Sequence, residues 1–217
     1  MIDLSKYHFH DLTLSYSEKI AGYDFEIAKT IDRDGWNARI LHIYSHAGTH
    51  MDAPVHFGVG DDTIDRYKPT QLMGAAWVVT IPIHESNQLL TVNDLGNVTS
   101  QFKNGESLII RTGWSQYVGK DKYRNELPRI SVSLAKWCVE NEVKILGVEP
   151  PSVADVNKLD EVTQIHEILL RGKVIIVEGL TNLAAISKNK VFLVALPLKI
   201  KEGDGSPARV IAFEEKT

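Results

Sequence analysis

Cysteine is almost absent from this sequence of 217 residues, in which Cys138 is the only one. A single cysteine excludes an internal disulfide and any zinc site built on several thiolates. Cys138 lies in an apolar run that predicts a helix, so we interpret it as a buried packing residue rather than a nucleophile. The sequence also lacks a G-x-S-x-G motif, and Ser206 lies in a predicted hairpin turn, which argues against a serine hydrolase, the main rival class of enzyme.

Long apolar runs and a large excess of charge are absent as well. No apolar run approaches the ~20 residues that span a bilayer, and residues 1–6 lack the apolar core of a signal peptide. A net charge of −4 argues against nucleic acid or an anionic membrane as a partner. The composition, 43% hydrophobic and 24% charged, is that of an ordinary globular protein. We therefore predict one cytoplasmic domain that covers residues 1–217.

The densest set of chemically active side chains lies in residues 45–57. Three of the eight histidines and one aspartate occupy even-numbered positions there: His46, His50, Asp52 and His56. Side chains at every second position project from one side of a strand, whereas a helix would spread them around its axis and Pro54 would break it. A straight strand would separate His46 from His50 by about 13 Å. We therefore predict an extended segment with a bend at Gly48.

Imidazole and carboxylate groups at this spacing suit zinc, manganese or iron. His46, His50 and Asp52 would supply three ligands and leave one position for water, which is typical of a catalytic site. His56 would then be free to act as a general acid or base. If Asp52 and His56 both bound the ion, four protein ligands would instead indicate a non-catalytic binding protein stabilised by its metal.

The spacing of these residues resembles a known signature. The pattern His46-x-Gly48-Thr49-His50-x-Asp52-x-Pro54-x-His56 is similar to that of the metal-dependent cyclase family, which includes bacterial kynurenine formamidases and isatin hydrolases. Residues 166–179 and 196–209 also resemble that family. The resemblance implies a mixed α/β, strand-rich domain with a swivelling β/β/α arrangement. It also implies a homo-oligomer, either a dimer or a tetramer.

Two further residues acquire a role through this resemblance. In the family, a helical histidine and a glutamate twelve positions later, at the end of the next strand, bind a second metal, and His166 and Glu178 match that spacing. Asp52 would bridge the two ions. By its own pattern His166 is an ordinary residue of an amphipathic helix. Glu178 continues a predicted core strand, where a carboxylate needs a partner that either a metal or Arg111 would supply. We expect one or two Zn²⁺ ions, or Mn²⁺, per chain.

The family resemblance also implies a reaction and a class of small-molecule substrate. The expected reaction is hydrolysis of a non-peptide C–N bond in an aryl formamide, such as N-formylkynurenine, or in a cyclic amide. Water activated by the metal would attack the carbonyl carbon, with His56 as general acid and base. A lactonase or dehydrating cyclase that acts on oxygen substrates is the alternative. Kynurenine formamidases of the family usually carry a proline-rich segment before the histidine motif, whereas residues 14–40 contain no proline.

The remaining pattern predicts further strands and helices. Helices are predicted over residues 128–141, with Ser131 or Ser133 as N-cap, and over residues 163–170. Residues 23–28 fit either a loop or a short helix. Strands are predicted over residues 39–44, 76–83, 107–112, 144–148, 173–177, 191–200 and 208–213.

Glu149 follows one of these strands at a position where α/β proteins often place site residues. It would either approach the metal or cap a turn, and we favour the cap. His42 is interpreted as a strand residue, because no second ligand set lies near it, and His84 as a structural residue, because it follows the end of a strand at Pro82.

Overall fold

The computed structural model describes residues 3–216, so the ends of the predicted domain at residues 1, 2 and 217 lie outside that part. The extent of one domain over residues 1–217 stays a prediction. The strands are β1 (Tyr7–Asp11), β2 (Tyr23–Lys29), β3 (Ala38–Ile43), β4 (His50–Asp52), β5 (Met73–Thr80), β6 (Leu89–Leu90), β7 (Ser107–Arg111), β8 (Arg129–Ile130), β9 (Ile145–Val148), β10 (Ile175–Glu178), β11 (Lys190–Pro197) and β12 (Gly205–Glu215). The α-helices are α1 (Ile31–Asp34), α2 (Val98–Gln101), α3 (Asp121–Asn125), α4 (Val132–Glu140) and α5 (Leu159–Arg171).

Eight strands form one sheet in the order β1-β12-β11-β5-β7-β9-β10-β4. Because β4 also pairs with the start of β12, seven of these strands close into a ring, and β1 pairs with the far half of β12. β5, β7, β9 and β10 are parallel to their neighbours in that series, which requires crossover connections. Helices α3 to α5 lie in the crossovers between β7 and β10. The predicted mixed α/β, strand-rich fold is confirmed.

The parallel strands are buried on both faces. All four residues of β9 and all four of β10 are buried, as expected for parallel strands with continuous apolar sequences. In β10, Ile175 and Val177 pack inside the ring with Met51, whereas Ile176 packs on the side of the helices. Glu178 shares its parity with Ile176 and therefore points toward the helices.

Helices α4 and α5 cover the outer face of these strands. α4 begins after Ser131, whose hydroxyl accepts a hydrogen bond from the backbone N–H three residues later, so one of the two predicted N-caps is correct. α5 buries Ile165, Leu169 and Leu170, which lie on one helix face. Cys138 is buried in α4, as predicted. Within residues 3–216, no helix combines the length and apolar character needed to cross a membrane.

All seven predicted strands are present, with ends displaced by up to three residues. The prediction of a loop or short helix for residues 23–28 is wrong, because they form β2. This strand pairs with β3 in a two-stranded ribbon separate from the main sheet. Apolar Tyr23, Phe25 and Ile27 alternate there with acidic Asp24 and Glu26, which is the pattern of a strand, and only the partner strand lies far away, beyond α1.

Candidate active site

The predicted bend before β4 is present at Gly48. This residue has a φ of +63°, in the left-handed region that favours glycine. In β4, Met51 points into the ring, so His50 and Asp52 point to the opposite face. The bend turns the chain back and brings the ring of His46 to a centroid distance of 5.2 Å from that of His50.

Strand β10 and helix α5 bring the two remote residues to this face. The antiparallel pairing of β10 with β4 places Glu178 directly opposite His50, and Glu178 Oε2 lies 3.2 Å from His50 Nε2. His166 lies on the buried face of α5, with its Nε2 3.4 Å from Glu178 Oε1 and 3.7 Å from Asp52 Oδ2. His46 Nδ1 lies 2.9 Å from Asp52 Oδ1. The five side chains predicted as metal ligands therefore form one cluster.

This cluster contains two buried carboxylates whose partners are imidazoles. Asp52 and Glu178 are 1% and 3% exposed, and among residues 3–216 their only ion-pair partners are histidines. The buried Asp52 Oδ2 has no hydrogen-bond partner there. A buried carboxylate oxygen without a partner is costly, so an ion that replaces the protons of these histidines and contacts Asp52 Oδ2 fits this position. A donor set of imidazoles and carboxylates is one that Zn²⁺ and Mn²⁺ accept.

Two sets of donor atoms lie close enough to share an ion, within 4.8 Å of one another. One set is His50, Asp52 and Glu178, and the other is His46, Asp52 and His56. These sets divide the side chains differently from the predicted division, which groups His46 with His50. Asp52 belongs to both sets, as a bridging ligand must.

Three of the histidines provide the positive charge in this cluster. Burial by itself lowers the pKa of His50, but the hydrogen bond and charge of Glu178 and the charge of Asp52 outweigh it, so the pKa is raised. The pKa values of His46 and His166 are raised against burial for the same kind of reason. Burial also acts to raise the pKa of Glu178, but its hydrogen bonds to His166 and His50 hold that pKa well below its usual range.

His56 differs from the other histidines of the site. Its pKa is lowered, because burial and the charges of His46 and His166 outweigh the attraction of Asp52. Its ring stacks on that of His46 with centroids 3.8 Å apart, and a quarter of its side chain is exposed. A neutral, accessible imidazole has a free lone pair and is able to accept a proton from a reacting group. The predicted general acid and base requires this property.

Asp204 belongs to the cluster, although the sequence assigns it only to a hairpin turn. Its Oδ2 lies 3.1 Å from His46 Nε2 and 3.7 Å from His56 Nδ1. Asp204 and His46 are 158 positions apart and meet because β12 pairs with β4, with Gly205 opposite Asp52. The only local signal was a carboxylate between two glycines at the start of a strand.

Glu149, Arg111 and His42 contribute no side chain to the cluster. Glu149 accepts hydrogen bonds from the backbone N–H groups of residues 112–114, so it caps a turn, as favoured above. Arg111 donates to backbone carbonyls in the loop after β10 and makes no ion pair with Glu178. His42 pairs with a glutamate on the exposed ribbon.

A cavity of about 610 Å³ opens over the cluster. This volume is in the range of small-molecule sites. Phe57, which lines the cavity, stacks on His166 with ring centroids 4.3 Å apart. Further apolar and aromatic side chains line its walls: Ile20, Tyr44, Val118, Tyr123 and Val162. The cluster therefore lies at the base of a pocket suited to a small, partly apolar molecule.

Comparison with known proteins agrees with this geometry. The family model Cyclase, described as "Putative cyclase", matches residues 10–155. An uncharacterized protein of Methanocaldococcus jannaschii is 27% identical over 181 residues, which cover 83% of this chain and 84% of that protein. A kynurenine formamidase of Bacillus cereus is 25% identical over 190 residues, which cover 87% of this chain and 86% of that protein.

The fold is also found among solved structures. An isatin hydrolase bound to the product analogue thioisatinate has a TM-score of 0.88 and 20% identity, and the match covers 98% of this chain and 94% of that one. The family model spans more than half of the present chain, including the whole histidine motif. The resemblance seen in the sequence is therefore confirmed: the chain belongs to the Cyclase family and is a hydrolase of that family.

Proposed function

We propose that this hydrolase depends on a divalent metal and cleaves a non-peptide C–N bond in an aryl formamide, such as N-formylkynurenine, or in a cyclic amide. The observation that carries the proposal is the buried carboxylate pair at the base of the cavity, with Asp52 Oδ2 unpartnered among the described residues. The names of the relatives support the substrate class, since one is a kynurenine formamidase and another an isatin hydrolase.

The ligands in this proposal are His46, His50, Asp52, His166 and Glu178, which would hold one or two ions of Zn²⁺ or Mn²⁺. A bound ion of this kind polarises a carbonyl oxygen and makes a nearby water more acidic. Asp52 would serve both ions, because it belongs to both donor sets.

Hydrogen bonds determine which nitrogen of two of these histidines faces the site. A carbonyl oxygen only accepts, so His50 donates its Nδ1–H to Gly48 O at 3.0 Å, and His166 donates its Nδ1–H to Val162 O at 2.7 Å. Both rings then present Nε2 to the carboxylates. Glu178 is fixed by the backbone N–H of Val153, which donates to its Oε1 at 2.8 Å. This part of the site is therefore preorganised.

His56 performs the proton transfers in this proposal. Its lowered pKa keeps it neutral at pH 7, so it is able to accept a proton from the attacking water. The resulting imidazolium would give that proton to the leaving nitrogen. The stacked ring of His46 holds His56 in place, and apolar walls such as Phe57 limit the access of bulk water.

The substrate is tested with a panel of four compounds. N-formylkynurenine, isatin, an aryl ester and a lactone are offered to protein reconstituted with Zn²⁺ or Mn²⁺, and turnover is followed by absorbance. We expect kcat/KM to be highest for one of the two amide substrates. Turnover of the ester or lactone alone would contradict the C–N assignment and support a lactonase.

We also propose that the chain forms a homo-oligomer, a dimer or a tetramer. In the ribbon, Phe25 pairs with Leu41, and Ile27 lies on the same face, so the three form one apolar surface, 37%, 54% and 64% exposed respectively. A two-stranded ribbon is marginal alone in water, and an exposed apolar patch is typical of an interaction site. A second copy of the chain is the partner proposed for this surface.

Light scattering tests the oligomer. The expected wild-type mass is a multiple of 24.3 kDa, and Ile27→Glu with Leu41→Glu is expected to reduce it. Ile40→Glu, on the opposite face of the ribbon, is the matched control. A monomeric wild type, or an equal effect of the control, would contradict the proposal.

A further inference from the structure

The side chain of Asp204 serves the site rather than its own turn. Its Oδ2 lies 3.1 Å from His46 Nε2 and within 3.4 Å of the Ser45 hydroxyl, and among residues 3–216 it forms no ion pair with a lysine or arginine. Its backbone carbonyl accepts the N–H of Ala53 at 2.9 Å. The turn is thus fixed to the segment that carries Asp52, with the carboxylate directed at the histidines.

His46 is oriented differently from the other two histidines among the proposed ligands. His50 and His166 donate Nδ1–H to backbone carbonyls, whereas His46 directs Nδ1 at Asp52 Oδ1, 2.9 Å away. The second nitrogen of His46, Nε2, faces a side chain that is distant in sequence, Asp204. A carboxylate only accepts hydrogen bonds, so both contacts are N–H donations, and without an ion His46 carries a proton on each nitrogen.

We propose that Asp204 is a positioning residue for His46: it accepts Nε2–H and keeps that proton in place, so that Nδ1, beside Asp52, is the nitrogen that gives up its proton and binds the ion. This inference rests on the proposed metal dependence. Gly205 supports it, because a Cβ there would lie 2.5 Å from His46 Cε1 and 2.9 Å from its Nε2. The imidazole therefore lies directly on the backbone beside Asp204, where a larger residue would displace it. Carboxylates that accept the remote N–H of a ligand histidine fix its tautomer and orientation.

Metal affinity is the first test, because Asp204 also lies 3.7 Å from His56 and activity alone would mix two effects. Zn²⁺ is titrated into metal-free wild type, Asp204→Ala and Asp204→Asn by calorimetry. We expect binding to be about 10–100-fold weaker in Asp204→Ala, the usual range for such partners. The loss should be smaller in Asp204→Asn, because an amide oxygen still accepts the N–H. Asp61→Ala, which removes an exposed loop carboxylate, is the control.

The second test is the proton itself. In ¹⁵N-edited NMR spectra, assigned with His46→Gln, we expect a protected His46 Nε2–H in wild type with and without Zn²⁺, retained in Asp204→Asn and lost by exchange in Asp204→Ala. Circular dichroism verifies that each variant is folded. The inference would be overturned if wild type and Asp204→Ala had equal Zn²⁺ affinity. It would also be overturned if the His46 Nε2–H signal of Asp204→Ala were the same as that of wild type. If wild type binds no Zn²⁺, the proposed function fails, whereas the signal in metal-free protein still shows whether Asp204 holds Nε2–H.

Discussion

Two pairs of buried carboxylates in this molecule differ in what surrounds them. Glu149 and Glu214, 2% and 4% exposed, accept hydrogen bonds from backbone N–H groups and serine or threonine hydroxyls of nearby turns. Asp52 and Glu178 are just as buried, yet they face three histidines, and among residues 3–216 Asp52 Oδ2 has no donor. Burial alone therefore does not indicate a functional carboxylate; the difference lies in the partners, which are imidazoles here, with one backbone N–H on Glu178 and one oxygen of Asp52 left unpartnered.

The comparison separates two uses of the same chemical group. A carboxylate with a full set of donors stabilises the turns around it, because each donor is also satisfied. A buried carboxylate that lacks donors destabilises the fold unless a ligand completes it. Conflicts of this kind between local satisfaction and burial are expected at functional sites. We therefore expect mutations of the first pair to reduce stability and mutations of the second pair to reduce metal binding.

Asp52→Ala is expected to have the largest effect on function. It removes the one residue common to both donor sets. Zn²⁺ affinity, measured by calorimetry, should fall by more than the ~100-fold typical of residues beyond the ligands, and hydrolysis should be lost with it. Retained affinity in folded Asp52→Ala would place the ion elsewhere.

His56→Gln should lower kcat by about 10²–10⁴-fold, the usual contribution of a general acid or base. Metal content, measured on the same samples, should be unchanged, because His56 is proposed to move protons rather than to bind the ion. A parallel fall in metal content would instead make His56 a ligand, as the second donor set allows.

Glu149→Ala tests the satisfied pair. It leaves the donors of residues 112–115 without their acceptor. Because each buried unsatisfied group costs about 1–3 kcal/mol, we expect unfolding in urea to show a loss of roughly 3 kcal/mol or more. The folded fraction should still bind metal. If the urea midpoint of Glu149→Ala equalled that of wild type, Glu149 would not stabilise its turn, and the contrast between structural and metal-binding carboxylates would fail.

Glu214→Gln should have the smallest effect, about 1 kcal/mol at neutral pH. Burial acts to raise the pKa of Glu214, but hydrogen bonds from Ser187 and Lys188 outweigh it and lower the pKa from 4.5. The folded pKa thus lies below the unfolded one, so the stabilisation is present above about pH 4.5 and is lost as the pH falls through the folded pKa. The stability difference between wild type and Glu214→Gln should shrink on acidification; a constant difference down to about pH 3 would contradict this assignment.

The site was predictable where its geometry is local. His50 and Asp52 are two positions apart on one strand, so strand parity alone places them on one face, and Gly48 was the only glycine available for the bend. His166 has the pattern of a packing residue, and only the resemblance to a family assigned it to a metal. Asp204 was missed because its approach to His46 depends on closure of the ring, which no local pattern encodes.

The fold, like the site, was predictable where the signal lies in consecutive residues. The buried parallel strands were found from their apolar runs, since such strands carry their signal in four or five consecutive residues. β2 was missed although Tyr23, Phe25 and Ile27 alternate with Asp24 and Glu26, the period-two pattern typical of a strand. What holds β2 in place is its hydrogen bonding to β3, because neither face of the ribbon is deeply buried.

Metal content of two matched glutamate variants tests the central claim most directly. Glu178→Gln and Glu149→Gln make the same chemical change at equally buried positions. After reconstitution with zinc and manganese, elemental analysis should find one or two ions per chain in wild type and in Glu149→Gln, and a clear loss in Glu178→Gln. Equal metal content in all three proteins, or no metal in wild type, would contradict the assignment of this cluster as a metal centre.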